Sequence, residues 1–125
     1  MWAINKITKN TDIHKILQTG ENGVTTKVRV FPDVPLYCKV DIKGKLEALN
    51  AMFKYQTAGD LTVYASNRDK LPDENHFSVI KRKPNLVSFE VKEGVSEEWI
   101  YLGLKSVTGI VAEIKTFFGD SKNVA

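Results

Sequence analysis

Residues Gly59–Ser66, with the sequence GDLTVYAS, form the clearest strand pattern in this chain of 125 residues. Apolar side chains alternate with others at a period of two, which is the repeat of a β-strand. The pattern therefore predicts a strand with one face turned to a core. The inward residues are Leu61, Val63 and Ala65, and the outward residues are Thr62, Tyr64 and Ser66.

The same period recurs on both sides of this strand. Further strand patterns occupy residues 24–31, 36–42, 77–83, 86–91, 99–107 and 109–118, with Pro, Gly or Asn between them. Seven or eight short strands separated by turn signals are typical of a two-sheet protein. We therefore predict an all-β fold, an antiparallel jelly-roll-like β-sandwich.

The run from Leu46 to Tyr55 fits two structures. Leu49, Ala51 and Phe53 share a strand phase, and a bulge near Ala48 would bring the preceding residues into register. A helix is also consistent with Leu46, Leu49 and Phe53, because Leu, Glu, Ala and Met are good helix formers. We favour the strand, since a helix here would break the sandwich.

Three regions follow from these patterns: an N-terminal arm over 1–23, a sandwich domain over 24–118 and a loose tail over 119–125. Within the arm, Ile13, Ile16 and Leu17 have helical spacing, and Gly20 stands where a C-cap glycine would. The arm is thus expected to hold a short helix. Because this helix is too short to be stable alone, it must pack against the sandwich domain or against a partner.

Composition places the chain among globular proteins, with 42% hydrophobic and 26% charged residues. A net charge of +3 is too small, and too evenly interleaved with acidic residues, for a dedicated nucleic-acid binder. The single cysteine, Cys38, sits in an apolar phase and is interpreted as a buried hydrophobe. Without a disulfide, a signal peptide or a membrane-length apolar run, we expect an intracellular, cytoplasmic protein.

The order of features resembles the bacterial pre-peptidase C-terminal domain and its jelly-roll-like relatives. The resemblance rests on Asp60 to Tyr64, an aromatic strand from Trp99 to Leu104, the turn Ser106 to Gly109, and Ile110 to Phe118. It covers roughly residues 24–118. It implies a non-catalytic β-sandwich that binds or positions another module, and it carries no ligand residue onto this chain.

The loop from Ser66 to His76 is rich in side-chain oxygens, the ligands that Ca²⁺ prefers. The candidate ligands are Asn67, Asp69, Asp73 and Glu74. Their spacing matches no EF-hand, and Arg68 and Lys70 oppose a divalent cation. We expect a solvated loop and no metal or other cofactor, with Ca²⁺ or carbohydrate binding as the alternative.

No pattern in the sequence predicts catalysis. Glu97 and Glu98 are adjacent and would point to opposite faces of a strand, which is a poor acid–base pair. His14 and His76 lack partners at the spacing of a metal or nucleophile site. We therefore expect a protein that is not an enzyme.

Large apolar residues on outward strand positions are the strongest functional signal. Such residues need a cover, either the arm or a partner protein. The candidate partner-binding residues are Trp2, Ile4, Ile7, Ile13, Ile16, Leu17, Trp99, Tyr101 and Phe117. We predict a protein–protein interaction or scaffolding subunit of a larger intracellular assembly, with a cytoskeletal or ciliary setting considered. The expected partner is another protein, with no membrane and no nucleic acid.

Overall fold

The computed structural model describes residues 14–19, 25–43, 47–90 and 98–119. These residues form nine β-strands and no helix. The strands are β1 (Lys15–Leu17), β2 (Thr26–Val30), β3 (Leu36–Asp41), β4 (Leu49–Tyr55), β5 (Thr62–Ser66), β6 (Val79–Arg82), β7 (Leu86–Phe89), β8 (Trp99–Lys105) and β9 (Ile110–Phe118). Within the described ranges, no helix has the length and apolarity to cross a membrane.

Two sheets pack face to face. The five-stranded sheet has the order β1-β3-β8-β5-β6, and the four-stranded sheet has the order β2-β9-β4-β7. From β2 to β9 the chain changes sheet at every connection except β5 to β6, and all pairs in this set are antiparallel. This interleaving is a jelly roll. The predicted fold class is therefore confirmed, and the eight strands β2 to β9 agree with the prediction of seven or eight.

The core lies between the sheets and follows the period of two. In β5, Val63 and Ala65 are buried as predicted, and Leu61 is buried just before the strand. Full burial of a Val, Leu or Ile side chain stabilises the fold by about 1.5–3 kcal/mol relative to exposure. The other large, fully buried apolar residues include Val30, Val40, Ile100, Leu104 and Ile114.

Within the ambiguous run 46–55, residues Leu49–Tyr55 form the strand β4. Leu49, Ala51 and Phe53 are buried in the core, whereas Met52 and Lys54 are exposed on the outer face. The strand begins after Ala48, whose carbonyl oxygen accepts a hydrogen bond from the Gly119 N–H. The favoured interpretation is thus confirmed, because pairing with both β7 and β9 outweighs the helix propensity of individual residues.

The helix predicted for the arm is wrong over the residues that the structure describes. Lys15–Leu17 form β1, which pairs in parallel with β3 at the edge of the five-stranded sheet. Leu17 is buried against the core, and Ile16 points outward. Spacing of three and four residues cannot distinguish one helical turn from a short strand, and here the edge of β3 decides the outcome.

The segment after β1 ties the two sheets together. Thr19 bridges to Thr116 of β9, and the Thr116 hydroxyl donates to the Gln18 carbonyl oxygen at 3.3 Å. Residues 14–19 therefore belong to the sandwich edge. Removal of residues 1–19 would take Leu17 out of the core, so only a shorter truncation can test the arm.

Candidate interaction surface

The outer face of the five-stranded sheet carries a row of large side chains on one side. The register places Ile16 of β1 beside Lys39 of β3, and Lys39 beside Tyr101 of β8. One step along β8, Trp99 lies across from Asp41. We call Ile16, Lys39, Trp99 and Tyr101 the aromatic face.

Exposure differs across the aromatic face. Ile16 is 55% exposed, while Trp99 and Tyr101 are half-buried. The Lys39 ammonium lies 4.6 Å from the centre of the Trp99 ring, a cation–π distance. A solvated outer face of an antiparallel sheet is normally polar, so this row departs from the expected alternation.

His14 closes one border of the aromatic face. Its ring lies 5.2 Å from the Tyr101 ring and 6.2 Å from the Tyr37 ring, measured between centres. Its Nε2 donates to the carbonyl oxygen of Lys70. The histidine therefore joins the start of β1 to the loop after β5.

Another part of this outer face, around Gly103, is covered by the loop 67–76. Pro72 is fully buried over Gly103, where an added Cβ would lie only 2.2 Å from the Pro72 carbonyl oxygen. Tyr37 and Tyr64 flank Gly103 in register and stand on either side of this contact. The missing side chain at Gly103 thus makes room for the loop backbone, a known use of glycine within strands.

The cover explains why two predicted outward residues are buried. Tyr64 is only 7% exposed, and its ring lies 6.0 Å from that of Phe77. Ser66 is fully buried, and its hydroxyl oxygen accepts the backbone N–H groups of Arg68 and Asp69. The alternating pattern therefore predicted correctly that Tyr64 and Ser66 lie on the outer face, but it contains no information about the loop that covers them.

The acidic side chains of the loop have internal partners. Asp69 accepts a hydrogen bond from the Ser66 hydroxyl, and Asp73 accepts from the Asn75 N–H and from the His76 ring. These bonds lower the pKa of Asp73, the Asn75 N–H having the largest effect. Glu74 lies 3.5 Å from the Lys105 ammonium. Among the described ranges, no three His, Cys, Asp or Glu side chains are grouped to hold a metal ion.

The other predicted partner-binding residues are dispersed. The prediction that Leu17 binds a partner is corrected, because Leu17 belongs to the core and offers no contact surface. Phe117 lies on β9 of the four-stranded sheet, half-buried beside Asn50, and so faces away from Trp99 and Tyr101. Trp2, Ile4, Ile7 and Ile13 lie outside the described residues.

Asp60 fastens the loop before β5 to the turn between β8 and β9. Its carboxylate accepts hydrogen bonds from the N–H groups of Val107 and Thr108 and from the hydroxyls of Thr108 and Ser106, at 2.8–3.1 Å. These donors, above all the Thr108 N–H, hold the pKa of Asp60 well below its usual range. Two segments that carried the family resemblance, Asp60 to Tyr64 and Ser106 to Gly109, are thereby joined.

Cys38 lies in the core between the sheets, and burial raises the pKa of its thiol to about 12. We predict that the folded protein does not react with a thiol reagent such as Ellman's reagent near pH 8, because the thiolate is the reactive species. One equivalent should react once denaturant is added. Rapid labelling in native buffer would show instead that Cys38 is accessible.

No protein-family model matches the chain, and no curated protein is significantly similar to it. The resemblance to the pre-peptidase C-terminal domain therefore stays a prediction.

Proposed function

We propose that this protein is a non-catalytic interaction or scaffolding subunit of a larger assembly, and that the aromatic face contacts its protein partner. The observation that carries the proposal is that exposed Ile16 and half-buried Trp99 and Tyr101 share an outer sheet face, with Lys39 between them. Trp and Tyr combine a large apolar ring with a polar group, and they are enriched where proteins bind each other.

The geometry of the aromatic face suits a partner that buries it. Ile16 lies on the edge strand β1, so the face reaches the border of the sheet. Packing around Lys39 and His14 holds the rings before any partner arrives, which reduces the entropy lost on binding. His14 directly follows Ile13 in the sequence, so the predicted contact residues Trp2, Ile4, Ile7 and Ile13 stay part of the proposal.

A cytoskeletal or ciliary setting stays a prediction, since no structural feature bears on it. Ca²⁺ or carbohydrate binding by the 67–76 loop is not carried forward as a second function, because Asp69, Asp73 and Glu74 are engaged within the protein.

The proposal is tested by quantitative capture of partners from an extract of the source cells. Ile16→Ser and Trp99→Ala should each reduce recovery of a specific partner by about ten-fold or more, the effect of losing an interface hot spot. Ile80→Ser is the control, because Ile80 is a 37% exposed isoleucine on β6 at the opposite edge of the same sheet.

Circular dichroism and melting curves must show that both variants remain folded. Equal recovery by wild type, Ile16→Ser and Trp99→Ala would contradict the proposal. A truncation that starts at His14 separates the contributions of the arm and the face, because it retains β1.

A further inference from the structure

One end of the sandwich carries a cluster of exposed apolar side chains that the aromatic face does not include. This end is formed by four loops, residues 31–35, 56–61, 83–85 and 106–109, and we call it the apolar end. Phe31 is 55% exposed, Val34 57% and Val107 67%. Each is more exposed than the Met52 or Ile80 side chains of the sheet faces.

Backbone contacts bring these three residues together. Pro32 bridges to Ser106, and the Asp33 N–H donates to the Ser106 carbonyl oxygen at 2.8 Å. The Val34 N–H donates to the Phe31 carbonyl oxygen at 3.1 Å, which closes the turn from Phe31 to Val34. The two turns therefore lie side by side.

Asp60 stabilises the second of these turns. Its carboxylate accepts hydrogen bonds from the N–H groups of Val107 and Thr108, and these bonds fix the backbone that carries the Val107 side chain. The apolar side chains thus project from braced turns. A shallow cleft lies beside them, lined by Arg29, Phe31 and Thr57 among others.

The charge of the apolar end has one predominant sign. We counted charges in the four loops and in the two residues nearest to each loop in every strand that it connects. This set contains six cationic side chains, namely Arg29, Lys54, Lys81, Arg82, Lys83 and Lys105. The same set contains two acidic side chains, Asp33 and Asp60. The net charge of this set, six cationic side chains less two acidic ones, exceeds the net charge of +3 for the whole chain. The remainder of the chain is therefore slightly acidic.

Arg29 and Lys105 each lie close to a defined neighbour. The Arg29 guanidinium lies 5.9 Å from the centre of the Phe31 ring, which places a positive charge directly beside an exposed apolar side chain. Lys105 pairs with Glu74 of the loop 67–76, both partners being about half exposed. Such a pair is weak in water and does not remove the excess of positive charge.

We propose that the apolar end docks on an anionic membrane surface, with Phe31, Val34 and Val107 entering the lipid headgroup region. Apolar insertion combined with attraction of nearby Lys and Arg to acidic lipids is how proteins bind membranes peripherally. Side chains that protrude from turns held by hydrogen bonds are better suited to insertion into a headgroup region than to a flat contact with another protein. The proposal is independent of the aromatic face. The sequence expectation of no membrane partner rested on the lack of a spanning segment, which surface docking does not need.

Co-sedimentation with defined vesicles tests the inference. The wild-type protein should bind vesicles of phosphatidylcholine with about 30% phosphatidylserine, and binding should weaken as salt is raised because the charges are screened. Vesicles of phosphatidylcholine alone should bind at least about ten-fold less. The double variant Val34→Ser, Val107→Ser should lose about ten-fold in affinity for the acidic vesicles.

Matched variants keep the test decisive. Ile16→Ser removes an apolar side chain whose exposure is close to that of Val34, but from the aromatic face, and this variant should bind vesicles as the wild type does. Arg82→Gln combined with Lys83→Gln should weaken binding and flatten its salt dependence. Absence of binding to acidic vesicles at low salt overturns the proposal. So does equal loss from Ile16→Ser, and so does protein capture that depends on Val34 and Val107 without vesicle binding.

Discussion

Replacement of Gly103 by alanine is expected to expel the loop 67–76 from the outer sheet face and to lower the free energy of unfolding by about 2–3 kcal/mol. The new Cβ would stand 2.2 Å from the carbonyl oxygen and 3.2 Å from the carbonyl carbon of Pro72. Both are backbone atoms, so no side-chain rotation relieves the clash. In an ordinary strand the same change would be neutral or stabilising.

Urea unfolding measures this loss, and limited proteolysis of the loop shows where it arises. Lys105→Ala is the control, because it lies at the next outward position of β8 and removes only an exposed ion pair worth about 0.5 kcal/mol. A Gly103→Ala protein that is as stable and as protease-resistant as the wild type would show that Pro72 does not occupy this position.

Replacement of Asp60 by asparagine should lower the melting temperature by about 5–10 °C at neutral pH. The four donors of Ser106, Val107 and Thr108 that face the carboxylate would meet an uncharged amide, one half of which is itself a donor. The turn between β8 and β9 would then lose its attachment to the loop before β5.

The same variant tests the pH dependence. Because the pKa of Asp60 is lower in the folded state than its ordinary value of 3.8, the unfolded state binds more protons in the acid range. The contribution to stability is therefore fully present above that ordinary value. It declines as the pH falls from there toward the folded-state pKa.

Melting curves recorded from about pH 2 to pH 7 should show this acid decline in the wild type and a shallower one in Asp60→Asn. Asp33→Asn serves as the control, since Asp33 lies on the neighbouring turn at a φ of 59°, a conformation that asparagine tolerates. It should shift the melting temperature by no more than about 2 °C. Identical pH profiles for Asp60→Asn and the wild type would contradict the assigned role.

Period-two patterning was sufficient to predict the architecture. It marked all eight strands of the jelly roll, and it placed Leu61, Val63 and Ala65 on the inner face because a two-sheet core accepts one face of each strand. It also resolved Leu49–Tyr55 correctly. The pattern failed at Ile16 and Leu17, where three residues are too few to show a period and the edge of β3 determines the structure.

The candidate surface was only partly predictable. Trp99 and Tyr101 were recognised as outward apolar residues that need a cover, and Ile16 was assigned to the arm that could supply it. The structure brings all three to one sheet. Phe117 was grouped with them because a single sequence does not say which strands share a sheet. The covering by Pro72 and the exposed turns at Phe31 and Val107 depend on contacts between loops distant in sequence, and strand periodicity carries no information about these.

Site-specific photo-cross-linking tests the central claim, that the aromatic face is the contact surface for a protein partner. A photo-reactive amino acid at position 16 should form a cross-link to a defined partner protein in the source cells. The same probe at position 52, on the outer face of the four-stranded sheet, should not. Cross-linking of the same partner with equal yield from both positions, or from position 52 alone, would contradict the account.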